Sequence, residues 1–348
     1  MLSSTSSPFV LSFVLLLSLP LTFFILAPHI LPPKTLPAIP TADEIDDLAL
    51  FRRATLSSSD LSLPPKNRPK IAFLFLTNSP LTFSPLWDRF FSGHDSLYNV
   101  YVHTDPTKPF APPGGAFTAA RFISGNKRTQ RASPTLISAA RRLLAAALID
   151  DPSNTYFALL SQHCIPIHSF RFVYRSLFGS NPNRRLRYKS FIEILSGEPG
   201  LHDRYVARGD DVMMPEVPFS SFRVGSQFFV LTRQHALLVV REKRLWKKFR
   251  FPCLKSNEDS CYPEEHYFPT LLSMRDPNGC THYTLTRVNW TDSVGGHPHT
   301  YGPDEVSADL VRRLRVSNST YSYLFARKFS AESLEPLMAI ADSVIFRD

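Results

Sequence analysis

The chain has 348 residues, of which 43% are hydrophobic and 20% charged, with a formal net charge of +9. Its isoelectric point is near 9.4. That apolar content is enough for one large core, and a basic balance suits nucleic acid, anionic membrane or phosphate-bearing substrates. Four cysteines with no C-x-x-C pair argue against a zinc ribbon.

The first predicted element is apolar. Residues 1–8 form a short tail, and Phe9 to Ala27 carries no charged side chain. Its 19 residues come close to the ~20 that cross a bilayer as a helix. No basic residue precedes Lys34 and no small-residue cleavage site is well formed, so the segment reads as an uncleaved signal-anchor rather than a cleaved leader. A membrane anchor argues against nucleic acid and leaves an anionic small molecule as the expected partner. Residues 28–69 are rich in Pro and Ser, with an acidic cluster at Asp43, Glu44, Asp46 and Asp47, the composition of a flexible stem.

From residue 70 to 348 the pattern alternates as a single α/β domain. Lys70 to Thr77 is a continuous apolar run, the mark of a buried parallel strand. A helix from Leu86 to Phe91 follows, then strand Tyr98–His103 ending at Thr104-Asp105-Pro106. Pro134 opens a helix to Leu148, and Thr155–Leu160 is the third strand. His168–Phe178 reads as a helix closed by Gly179. This order predicts a Rossmann-type doubly wound sheet with ligands at the strands' carboxyl ends, where Thr77, His103, Asp105 and Ser161 fall. No G-x-G-x-x-G and no G-x-x-x-x-G-K occur, so dinucleotide and P-loop sites are excluded. His103 reads as a core histidine, and Asp105 as either a turn residue or a nucleotide contact.

Phe222–Thr232 is predicted as a strand with an embedded glycine, and Arg233–Phe249 as a helix. The run Cys261-Tyr-Pro-Glu-Glu-His-Tyr-Phe-Pro-Thr270 carries the most chemistry. Pro263 suits the first helical turn, which places Glu264 and Glu265 at the positive helix end. Either residue caps the helix or serves as a general base. Cys253 and Cys261 stand close enough to staple the loop between them, whereas Cys164 sits in an apolar strand context as a buried thiol. The loop Val288–Tyr301 holds Trp290, which either stacks on a sugar or plugs the core, and His297 and His299, a weak metal signal. Asn289-Trp-Thr and Asn318-Ser-Thr are glycosylation sequons. Leu324-Phe-Ala-Arg-Lys-Phe329 sets Arg327 and Lys328 among apolar residues, where cations need an anion such as a diphosphate. No D-x-D triplet is present in the domain, so positive side chains rather than a metal are expected to neutralise it.

The ordered segments YVHTDP, FALLSQHCIPI, RVGSQFFVLTR, CYPEEHYFPTLL, NWTDSVGGHPHTY and YLFARKF resemble the core-2/I-branching β-1,6-N-acetylglucosaminyltransferase family, and its plant branch in particular, across nearly all of residues 70–348. The resemblance implies a type II Golgi membrane protein with a GT-A-like fold. It further implies a nucleotide-sugar donor, a glycan or glycoprotein acceptor, inversion at the anomeric carbon and no metal or other cofactor. By motif match, Glu265 is the expected base, Lys328 a diphosphate contact, Asp105 a residue near the nucleotide and Trp290 a residue near the acceptor. A second diphosphate-binding arginine is expected upstream, with Arg315 preferred to Arg312 and Arg313. N-acetylglucosamine is the expected donor sugar, with glucuronic acid used by some relatives. Where the family often has a tryptophan and an acidic residue, this chain has Arg131 and Ala140, and the plant-branch cysteines before LFARKF are missing. Two further readings stay open: an inactive lumenal sugar-binding or scaffold protein, and a hydrolase using Glu264 and Glu265. Adjacent helical residues point about 100° apart and poorly flank one bond, which weighs against the hydrolase.

Overall fold

The computed structural model describes residues 39–57, 68–179, 188–254, 261–291, 293 and 296–348, together with isolated positions between 12 and 22. Among the described residues no helix is long and apolar enough to cross a membrane. Most of the anchor expected over 9–27 lies outside them.

The sheet is built from why its strands are apolar on both faces. Strand β1 (Lys70–Thr77) is buried from Ile71 onward. Ala72, Leu74 and Leu76 enter one core, and Ile71, Phe73 and Phe75 enter the other. That alternation follows from the period of two along a strand. β1 pairs in parallel with β2 (Tyr98–Thr104) and with β3 (Asn154–Ser161). A short fourth strand, β5 (Val230–Thr232), closes the order β2-β1-β3-β5 and runs antiparallel to β3. The architecture is therefore mixed α/β, with the expected parallel core and one antiparallel edge.

Helices cover both faces. On one side lie α3 (Pro134–Asp150), α6 (Arg233–Arg241) and α8 (Pro263–Arg275). On the other are α2 (Ser84–Phe91), α4 (Phe170–Phe178) and α9 (Ala308–Arg315). Proline at the first turn starts both α3 and α8, and the Ser133 hydroxyl caps α3 by accepting from the Thr135 N–H. Gly179 ends α4 at φ 71°, a conformation that favours glycine. A second sheet, in the order β4-β7-β6, joins Ile165–Pro166, Phe325–Arg327 and Thr286–Val288.

Three expectations are corrected. The strand predicted over 222–232 is regular only at its end, because Gly225 lies against the Glu193 backbone, where a Cβ would sit 2.0 Å from the carbonyl oxygen. The helix predicted over 233–249 is two pieces, α6 and α7 (Trp246–Phe249), since the Glu242 carboxylate accepts from the Leu245 and Trp246 N–H groups and starts a new turn. The stretch read as a flexible stem contains helix α1 (Thr41–Ser57), packed on α3 and α6 with Asp47, Phe51 and Ala54 buried. Its acidic residues are spoken for. Arg142 binds Asp47, Lys127 binds Asp43 and Asp46, and Arg250 binds Glu44.

Candidate active site

The cleft opens where the carboxyl ends of β1 and β3 meet, the switch point of a 2-1-3 strand order. Thr77, Asn78, Ser161, Gln162 and His163 supply that floor. Helix α8 faces it with Glu264 and Glu265, and the end of β7 brings Arg327 and Lys328. A second lobe continues past Gln227, Phe228 and Glu265 toward Glu193, Glu198 and Tyr323. Trp290 borders both lobes and is 56% exposed, so it does not plug the core.

Glu265 sits in the first turn of α8 and forms an ion pair with Arg204, Nη1 to Oε2, at 3.1 Å. Burial pushes its carboxyl above the ordinary range, while Arg204, Arg131 and Arg327 pull it back. Glu264 is fully buried. One of its oxygens accepts from the Ala132 N–H at 3.1 Å, and the other has no partner. Burial raises its pKa to about 8, which favours the neutral form near pH 7. Thus the adjacent carboxylates differ in kind: Glu265 carries charge into the cleft, and Glu264 holds a distant backbone turn.

The cations gather on the facing wall. Arg327 is half-buried, its guanidinium 4.4 Å from the Phe228 ring centroid, and its buried Nε has no hydrogen-bond partner. Lys328 makes no ion pair among the described residues; burial and the charges of Arg327 and Arg131 lower its pKa. Arg131 reaches the same cleft. Its guanidinium bonds the His297 ring at 2.8 Å, the Gly296 carbonyl at 3.0 Å and the Tyr262 hydroxyl at 3.2 Å, none of them a carboxylate. Arg131 and Arg204 lie 5.1 and 5.3 Å from the Tyr262 ring centroid. His163 is held to about pKa 4 by burial and by Lys328, so it adds no further charge.

Other expected residues stand elsewhere. Arg315 is not in the cleft. It donates to the carbonyls of Ile167, Val344 and Ile345 and pairs with the Asp348 carboxylate at 3.3 Å, tying down the carboxyl end. The reason is its position at the last turn of α9, whose buried face packs on that terminal segment. Arg312 is exposed and pairs with Asp309, and Arg313 lies on the same outer surface. Asp105 is buried under the cleft, with four hydrogen bonds from Thr107 and Thr129. Burial alone would raise its pKa, but those bonds outweigh it and hold the carboxylate below its usual range. It fixes Thr129, which does line the cleft. His103 is a buried neutral ring that accepts from the Lys127 N–H.

The surrounding covalent features are local. Cys253 and Cys261 form a disulfide just ahead of α8, while Cys164 and Cys280 are buried thiols. Asn318 is exposed, whereas Asn289 is half-buried and accepts from the Thr291 N–H. His299 pairs with Glu305, and no cluster suited to a metal ion is found among the described residues.

The sequence motifs brought Glu265, Lys328 and Trp290 together and set Arg327 beside Lys328 as a cation that needs an anion, but they assigned Arg131 no role in the site. Arg131 stood out in the sequence only as a departure from the family pattern, just before the Ser-Pro start of α3, where a turn must project toward the sheet's carboxyl edge. Residues 71–315 match the family model described as Branch: Core-2/I-Branching enzyme. A similar protein is Glycosyltransferase BC10 of Oryza sativa subsp. japonica, 27% identical over 315 residues, which is 77% of this chain and 75% of that protein.

Proposed function

Since the chain belongs to the core-2/I-branching enzyme family and is therefore a glycosyltransferase, we propose that it moves a sugar from a UDP-sugar to a glycan hydroxyl with inversion, Glu265 acting as the general base. One observation carries this reading: Glu265 faces Arg131, Arg327 and Lys328 across the cleft, and among the described residues none of the three has a carboxylate partner of its own. An acceptor hydroxyl held in the second lobe beside Trp290 gives its proton to Glu265 as its oxygen attacks the anomeric carbon. The bond from that carbon to the diphosphate oxygen breaks, and UDP leaves with the electron pair. Lys328 and Arg327 stabilise the charge that grows on the leaving diphosphate. Fixed cations in that position make a divalent metal unnecessary for the step.

The same reading takes N-acetylglucosamine as the sugar, a GT-A-like fold as the scaffold, and a type II Golgi membrane protein with its catalytic domain in the lumen. The Cys253–Cys261 disulfide and the exposed Asn318 sequon suit that compartment. Incubation with a panel of UDP-sugars and neutral glycan acceptors tests the reading. Acceptor-stimulated UDP release that survives EDTA is the expected result. Failure to transfer from any donor, with UDP still bound, would instead indicate a sugar-nucleotide-binding scaffold.

A further inference from the structure

The turn over residues 126–132 is held from three sides. Asn126 exchanges hydrogen bonds with Thr104, Lys127 donates through its backbone to His103, and Thr129 donates twice to Asp105, all at the carboxyl end of β2. The Lys127 ammonium reaches Asp43 and Asp46 on α1. At the far end, the Ala132 N–H meets the buried Glu264 carboxyl of α8. Ala132 holds φ at 57°, a left-handed conformation uncommon outside glycine, so the turn is set by its surroundings rather than by its own preference.

These restraints aim one side chain. Arg131 projects into the lobe lined by Thr77, Ser161 and Lys328, and it is absent from the lobe of Glu193 and Tyr323. Among the described residues it has no carboxylate partner, although Arg327 and Lys328 share its wall. The three cations repel one another: burial, and then the charges of Arg327 and Arg131, lower the pKa of Lys328, and the nearby Glu265 carboxylate is already paired with Arg204. Bound, doubly charged diphosphate would relieve that repulsion.

Resting on the donor reading above, we infer that Arg131 is a third cationic contact for the donor's diphosphate, and that Glu264 is a positioning residue that keeps it there by gripping the Ala132 N–H. Glu264 does so through one carboxyl oxygen, which accepts from the Ala132 N–H at 3.1 Å. Asp105 supports the same turn from β2.

Binding of UDP and of uridine to the full chain separates the possibilities. Loss of one charge-assisted contact predicts that Arg131→Ala weakens UDP binding by roughly 10- to 100-fold. Uridine, which lacks phosphates, should bind as to the wild type. Arg131→Lys should recover part of the loss. Glu264→Gln, which still offers a carbonyl oxygen, should bind UDP like the wild type, whereas Glu264→Ala should weaken UDP and spare uridine. An unchanged UDP affinity in Arg131→Ala, with a raised KM for the glycan instead, would make Arg131 an acceptor residue and overturn the inference while leaving the donor reading intact. A wild-type chain that binds no UDP would remove both. Because Arg131 is exposed, a thermal unfolding midpoint equal to the wild type is expected for its variants and shows that any loss is local.

Discussion

Arg142 grips Asp47 through two hydrogen bonds, Nε to Oδ1 at 2.5 Å and Nη2 to Oδ2 at 2.9 Å, and both side chains are buried. The bond joins α1 to α3 across 95 residues of sequence. Helix α1 is thereby part of the folded body. Removing one partner of a buried pair leaves the other charge uncompensated, which costs about 3–5 kcal/mol. Asp47→Ala should lower stability by that amount in denaturant titration, and deletion of residues 39–57 should lower it further by exposing the surface under Phe51 and Ala54. Equal stability with and without the helix would show that it is only a tether.

Arg315 and Lys328 should separate cleanly in their effects. Arg315 anchors three backbone carbonyls and Asp348, so Arg315→Ala should cost about 2–3 kcal/mol of stability through unsatisfied polar groups. Its donor KM should not change. Lys328→Ala should do the reverse, lowering turnover on the order of 10²-fold and raising donor KM while the unfolding midpoint holds. A rise in donor KM for Arg315→Ala would return it to the diphosphate site.

The fold was legible where local signals act alone. Ile71–Leu76 is apolar without interruption because both faces of β1 are covered, and prolines 134 and 263 mark helix starts because their missing N–H costs nothing there. Within the site, Glu265, Lys328 and Trp290 lay in recognisable motifs. What stayed hidden depends on contacts far apart in sequence. The acidic run Asp43–Asp47 resembles a solvated stem until Lys127, Arg142 and Arg250 close on it from 81 to 206 residues away. Arg315 and Arg131 could not be sorted by spacing, since one faces the carboxyl terminus and the other the cleft only after the sheet is assembled.

Glu264 gives a pH signature of its own. Its pKa rises from 4.5 to about 8 because the carboxyl is buried. Between those values the folded protein keeps a proton that the unfolded chain releases, so this group's contribution is complete below 4.5 and is lost as pH rises through about 8. Glu264→Gln cannot ionise. Thermal unfolding from pH 5 to 9 should therefore show a shallower decline for the variant, with the variant the more stable at the alkaline end. Parallel curves would mean that Glu264 is charged in the fold.

Glu265 must be ionised to accept a proton, and burial raises its pKa despite the nearby arginines. The rate should therefore climb with pH along an acid limb set above the ordinary carboxylate range. Arg204 holds the charged form through its 3.1 Å ion pair, so Arg204→Ala should move that limb to higher pH. Glu265→Gln should lower turnover by roughly 10²–10⁴-fold and remove the limb, with UDP affinity nearly kept. Turnover equal to the wild type in Glu265→Gln would rule out this base. A limb that stays in place in Arg204→Ala while Glu265→Gln loses activity would leave Glu265 as the base but show that Arg204 does not set its charge, as expected if the acceptor breaks the ion pair when it binds.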